Sequence, residues 1–214
     1  MNRRSWIVAL LGAIAAIGLY WALGAVVPAL RADQRQEIDR LAKLMQWKPG
    51  SVVADVGAGD ATYSFAAADE VGASGRVYAT EIDPEKLKNI RAEVAKRKLD
   101  NVIVIEGTAD DTKLPTSCCD AIFLRHVYHH LTQPLEFDKN LVRSLKPGAR
   151  LAIIDFPPDG HLDPVPGVPK NRGGHGVPKK VMIDEVTSAG LQLEKEIDDW
   201  SGHDYCVIFT KQLH

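Results

Sequence analysis

The chain has only three cysteines in 214 residues, Cys118, Cys119 and Cys206, and none stands at the spacing of a metal site. Neighbours such as Cys118 and Cys119 do not readily bridge to each other, so three free thiols are expected. A missing disulfide framework favours a reducing compartment without excluding export. An excess of one charge is also lacking: 26 Lys and Arg against 28 Asp and Glu leave a net charge of -2. No basic stripe interleaves with aromatics, so nucleic acid is excluded as an expected partner. No internal repeat is visible, which removes solenoids and propellers.

One long apolar run is present. From Ser5 to Leu30 the sequence carries no charge, with Trp6, Tyr20 and Trp21 near the ends of the run. About 20 such residues suffice for a helix to cross a bilayer, and aromatics favour its interfaces. The run exceeds the roughly 7 to 15 apolar residues of a secretory signal, so a retained anchor over residues 1–30 fits better; export after cleavage is the alternative. Arg3 and Arg4 lie on one side and Arg31, Arg35, Arg40 and Lys43 on the other, which tilts the expected topology toward a cytoplasmic C-terminal domain.

Residues 31–48 place Ile38, Leu41, Leu44 and Met45 at three- and four-residue intervals, the pattern of an amphipathic linker helix, here ended by Pro49-Gly50. From residue 49 to 214 strand-like and helical runs alternate. Strands are expected at 51–56, 76–82, 102–106, 120–124 and 149–156, with helices from 61, at 84–98 and at 134–145. This is the rhythm of βαβ units around a mostly parallel sheet covered by helices on both faces. A Pro- and Gly-rich excursion over 157–178 breaks it, as lids and binding loops do. A helix at 178–189 and strands at 191–198 and 204–210 close the domain as an antiparallel hairpin.

The first strand ends in "VVADVGAGD", with Gly57 and Gly59 before a helix, and the second ends at Glu81, 22 positions after Gly59. Glycines there let the backbone turn tightly against a ligand, and an acid at the next strand end can accept from ribose hydroxyls. The motif therefore asks for a nucleoside. A dinucleotide fingerprint needs a third glycine where this chain has Thr62, so no pyrophosphate contact is implied. Asp83, before Pro84, reads as a helix N-cap and not a ligand.

Together with "TEIDPEKL" at 80–87, "GTADD" at 107–111, "CDAIFLRHVYHHL" at 119–131 and "LKPGARLAIIDF" at 145–156, these residues give a joint pattern that resembles the class I S-adenosylmethionine-dependent methyltransferases. The resemblance covers roughly residues 45–212 and is nearest to small-molecule enzymes, including those of quinone biosynthesis. It implies a Rossmann-like three-layer α/β sandwich with a seven-stranded, mostly parallel sheet. It also implies S-adenosylmethionine as cofactor, with Asp55, Gly57 and Gly59 lining its methionine part and Glu81 holding the ribose. Ala109 and Asp110 would meet the adenine, and Arg125 would stand beside the sulfonium. Two positions depart from the pattern: Ala61, where a third glycine is common, and Thr108, where an acid often reads the adenine.

"RHVYHHL" at 125–131 follows the fourth strand, where the methyl group would point. An imidazole can take the acceptor's proton, so His129 is the candidate base. His126 and Tyr128 complete the candidate catalytic set, while His130 is expected to point away and pack or cap. His129, His130, His175 and Asp155 could in principle share a metal, but adjacent side chains on a helix point apart, so no metal is expected. His175, among the glycines of "GGHG", suits a substrate lid. The expected activity is methyl transfer to a small, lipophilic or lipid-like acceptor at the membrane. A nucleotide-dependent oxidoreductase and a non-catalytic, membrane-tethered cofactor-binding module are the alternatives.

Overall fold

The computed structural model describes residues 33–213. The expected membrane segment lies outside them; among the described residues no helix is long and apolar enough to cross a membrane. Residues 33–44 are helical (α1), and those up to Arg40 form a unit separate from Leu41–His214. Leu41 and Met45 are buried as their spacing predicts, and Ala42 beside them is buried too. The helix stops before Pro49-Gly50, at a turn in which Gln46 takes φ 55°.

Seven strands follow: β1 (Val52–Val56), β2 (Arg76–Glu81), β3 (Val102–Glu106), β4 (Cys119–Arg125), β5 (Leu145–Asp155), β6 (Gln192–Ser201) and β7 (Asp204–Thr210). They form one sheet in the order β3-β2-β1-β4-β5-β7-β6. The first five are parallel to their neighbours, and β7 runs antiparallel between β5 and β6. Four helices connect or flank them: α2 (Thr62–Val71), α3 (Pro84–Arg97), α4 (Pro134–Ser144) and α5 (Lys179–Ser188). The central strands read as unbroken apolar runs because both faces are covered: Ile122, Phe123 and Leu124 of β4 and Leu151 to Ile154 of β5 are all buried. For residues 49–213 the α/β fold expected from the sequence, hairpin included, is the fold observed.

Two features break local rules. Ala61, at the start of α2, is fully buried with φ 61°, a left-handed conformation in which a glycine would be unstrained. Cys118 and Cys119 form a vicinal disulfide at the entry to β4, against the expectation of free thiols. Ser117, at φ 49°, turns the chain sharply just before the pair. Cys206 is buried and takes no part in a disulfide, as expected.

The Pro- and Gly-rich excursion is tied down by a buried ionic knot. Arg172, with no exposed surface, donates from Nη1 to the Tyr128 carbonyl at 3.0 Å and from Nη2 to Glu185 at 2.8 Å. The Tyr128 hydroxyl lies 2.7 Å from Asp138 and 3.1 Å from Glu185. One hydroxyl proton cannot serve both acids. Burial lifts the Asp138 carboxyl to about 7, against the opposing effect of the Tyr128 hydrogen bond. Tyr128 is thereby structural: it is fully buried, and burial together with these two acids pushes its hydroxyl far above the usual phenol range.

Removing one member of a buried ion pair typically costs about 3–5 kcal/mol, because the other is left uncompensated. Arg172→Ala is therefore expected to lower unfolding free energy by about that amount. Urea denaturation checks the magnitude, and limited proteolysis should show new cleavage within 157–178.

Candidate active site

The sheet reverses its winding between β1 and β4, and ligands bind such sheets in the crevice outside the carboxyl ends of the strands at that point. A cleft of about 690 Å³ lies there, bounded by the ends of β1, β2 and β4 and the loop after β3. Gly57, Gly59, Glu81, Ala109, Arg125 and His126 all line it, as do Thr108, Asp83 and His130.

Glu81 forms its floor. One carboxylate oxygen accepts from the Gly59 amide at 2.9 Å, and the other from Ile82 and Asp83 at 2.7 and 3.1 Å. The side chain is buried, 6% exposed, and ties the β1 turn to the end of β2. It still presents unused lone pairs, since two carboxylate oxygens offer about four acceptor sites. Gly57 is required by space as well as by its φ of 75°: a Cβ there would stand 2.4 Å from a methyl of Val127, another lining residue. Asp83 accepts from the amides of Glu85 and Lys86 at 2.8 and 3.2 Å, and so caps α3 as its type and position predict.

Several sequence-based placements need correction. Asp55 does not line the cleft: it is 3% exposed and lies beneath the glycine turn, accepting from the Ser64 hydroxyl at 2.6 Å. Burial, with smaller contributions from Asp60 and Glu81, raises its carboxyl to about 7. Asp110 is outside as well, exposed on the rim and accepting from Thr108 at 2.6 Å, so Thr108 takes the lining position.

The histidines exchange places. His129, the candidate base, is 2% exposed and is not a cleft residue. Its Nδ1 lies 2.8 Å from Asp155, which also accepts from its backbone amide at 3.1 Å. His130, expected to point away, lines the cleft, and the two rings have centroids only 4.0 Å apart. The physical reason is local: Asp155 holds the His129 backbone amide and ring inward, which leaves His130, the last residue of the 3₁₀ turn Tyr128–His130, on the cleft side. His130 is exposed overall, but partial loss of water around its ring, then repulsion from His129 and His175, holds its imidazole down at about 4.

His126, at φ 55°, reaches a group that sequence reasoning missed. Its Nε2 is 2.7 Å from Asp204 in the β6–β7 hairpin, and Asp204 also faces Arg125 at 3.8 Å. Only the strand order, which sets β7 beside β5, brings that acid within reach of β4. His175 does fold inward. Its ring lies 5.0 Å from His129 and 5.7 Å from His130, and Asp159 and His175 pair as a short antiparallel bridge.

The raised Asp55 carboxyl makes a pH prediction. Its folded value, about 7, exceeds the unfolded value of about 3.9, so the folded state holds the proton more tightly. Stability is therefore lost as pH rises between about 4 and 7, up to about 4 kcal/mol, and is level above that window. Asp55→Asn should flatten this slope relative to the parent, as read from denaturation midpoints at pH 5 and pH 8; an unchanged slope would remove the assignment.

Comparison with known proteins agrees with this geometry. Residues 54–153 match the family described as "Methyltransferase domain". The chain is 32% identical over 113 residues to the demethylmenaquinone methyltransferase of Listeria monocytogenes serotype 4a (strain HCC23), covering 53% of this chain and 48% of that one. It is 28% identical over 165 residues to the arsenite methyltransferase of Halobacterium salinarum (strain ATCC 700922 / JCM 11081 / NRC-1), covering 71% and 42%. The chain thus spans about half the length of the curated relatives it matches. Among solved structures, a SAM-dependent methyltransferase from Aquifex aeolicus superposes with a TM-score of 0.67 at 26% identity, over 81% of this chain and 88% of that chain.

Proposed function

We propose that this chain, whose residues 54–153 carry a methyltransferase domain, transfers the methyl group of S-adenosylmethionine to a small, lipophilic acceptor of the quinone class. The observation that carries the reading is the cleft at the switch point, lined by Glu81, whose carboxylate is held by three backbone amides. In it, Glu81 accepts from the ribose hydroxyls, Gly57 and Gly59 admit the methionine part, Thr108 and Ala109 border the adenine, and Arg125 and His126 stand at the sulfonium end.

A sulfonium methyl is already activated, so the protein's main task is to hold the nucleophile in line at about 3–3.5 Å and to exclude water. The glycine-rich loop around His175 is well situated to cover the acceptor. A quinone-type acceptor is supported by the named relative from Listeria; the arsenite enzyme keeps a softer nucleophile as the second reading.

The uncharged run over residues 5–30 supports a membrane anchor, which would hold the cleft near a lipophilic acceptor, and a cytoplasmic domain would have the cofactor at hand. The Cys118–Cys119 disulfide favours the exported alternative, since such bonds persist in oxidising compartments. The anchored protein should stay with membranes through a high-salt wash, because apolar burial is insensitive to screening. Protease added to intact cells should then spare the domain; digestion there, or a mature chain starting near residue 30, would favour export.

Cofactor binding is tested by calorimetry with S-adenosylmethionine and its demethylated product. Glu81→Gln should weaken both by about 10- to 150-fold, the equivalent of losing charge-assisted hydrogen bonds of about 1.5–3 kcal/mol. Unchanged affinity would remove the ribose assignment, and no binding by the parent would end the methyltransferase reading.

A further inference from the structure

The Nε2 atom of His129 is buried and has no hydrogen-bond partner among the described residues. That is costly for an imidazole nitrogen, and a buried polar atom left alone asks for a ligand. The tautomer is set by its neighbour: Nδ1 faces the Asp155 carboxylate at 2.8 Å and carries the proton, so Nε2 offers a lone pair. His175 repeats the arrangement. Its Nδ1 lies 3.1 Å from the carbonyl of Asp163, and a carbonyl can only accept, so its Nε2 is a lone pair too. With His130, the three imidazoles bring one ligand atom each to within 4.8 Å of one another.

We infer that His129, His130 and His175 bind one divalent transition-metal ion of the zinc class. Three neutral imidazoles suit a borderline cation, and three protein ligands with one open position are the arrangement of catalytic zinc sites. Both buried or half-buried ligands already have the outer support that such sites use: the carboxylate behind His129 and the main-chain carbonyl behind His175 fix the rings and raise their basicity. Zinc–nitrogen bonds of about 2.0–2.1 Å require nitrogens about 3.3 Å apart in a tetrahedron, so the group must close by roughly 1.5 Å. The moving parts are at hand. His130 is exposed, and His175 follows Gly174, whose backbone at φ 125° has only the Asp159 carbonyl, 3.9 Å away, near its absent side chain. The other side of His175 is fixed: a Cβ on Gly176 would stand 2.7 Å from the Pro157 carbonyl oxygen, so the loop can come this close only as glycine.

His130 belongs to the cleft as well as to the cluster, which sets the ion in the cleft wall. The open position would take the hydroxyl or thiol of an acceptor in place of water, releasing its proton to solvent. The resulting oxyanion or thiolate would bond to the methyl carbon as the carbon–sulfur bond breaks and its electron pair stays on sulfur. This last role rests on the methyl-transfer reading; metal binding does not.

The test uses the full chain in detergent, stripped with chelator and titrated with Co²⁺ and Zn²⁺. One equivalent of Co²⁺ should give the visible absorption of a tetrahedral site, and Zn²⁺ should displace it. Asp155→Asn should weaken metal binding by about 10- to 100-fold, and His175→Ala, on a loop, should abolish the stoichiometric signal. S-adenosylmethionine binding measured on the same His175→Ala protein reports folding and the cofactor assignment separately. Absence of stoichiometric binding by the parent, or a Co²⁺ signal that survives His175→Ala, would overturn the metal site and leave the cofactor reading standing.

Discussion

The cleft depends on one buried carboxylate. Glu81 gathers amides from two different βα turns, Gly59 after β1 and Ile82 and Asp83 after β2, and so fixes the spacing of two strand ends. Charge-assisted bonds to backbone N–H groups are about twice as strong as neutral ones, and three of them compensate the burial of an acid. The glycine turn above it cannot relax independently, because Gly57 lies against Val127 with no room for a side chain. Asp55 and Ser64 support the same turn from below. What the ligand meets is a rigid rim supplied by residues that make most of their bonds to the protein itself.

A second constraint brings the far wall to that rim. Arg172 joins the carbonyl of Tyr128, in the histidine turn, to Glu185 on α5, and thereby ties the long excursion to the end of β4. His175 sits three residues further on, against His129 and Phe156. A guanidinium is suited to this task because its planar fork can hold two acceptors at once. The rim around Glu81 is thus built from backbone turns, and the wall carrying the histidines is held by ionic contacts.

Most of the fold was legible because each βα unit announces itself twice, in an apolar strand and in the punctuation that follows it. Asp83-Pro84 and the glycines after Val56 marked their boundaries to within a residue or so. The cleft was legible only where its lining sits on those boundaries, as with Gly57, Gly59 and Glu81. It was not legible where a side chain's direction is set by a distant partner. Asp155, 26 residues away in sequence, turns the His129 ring inward and leaves His130 to the cleft, and three residues of 3₁₀ turn carry no periodicity that would foretell it. Asp204 and Arg172 were missed for the same reason: each acts across the fold, 78 residues from His126 and 44 from Tyr128, and pairing at that range leaves no local signature.

The position of β7 has a consequence for how the protein is made. It is the last strand in sequence and yet an interior one, inserted between β5 and β6 with six of its seven residues buried. During synthesis from the amino terminus, β1 to β5 can pair in order, but the outer edge of β5 then waits for a partner while some fifty further residues, including the whole proline-rich excursion, are added. An apolar edge left open for that time invites pairing with another chain. The cofactor half can take shape early; the protein becomes safe from its neighbours only when the hairpin closes.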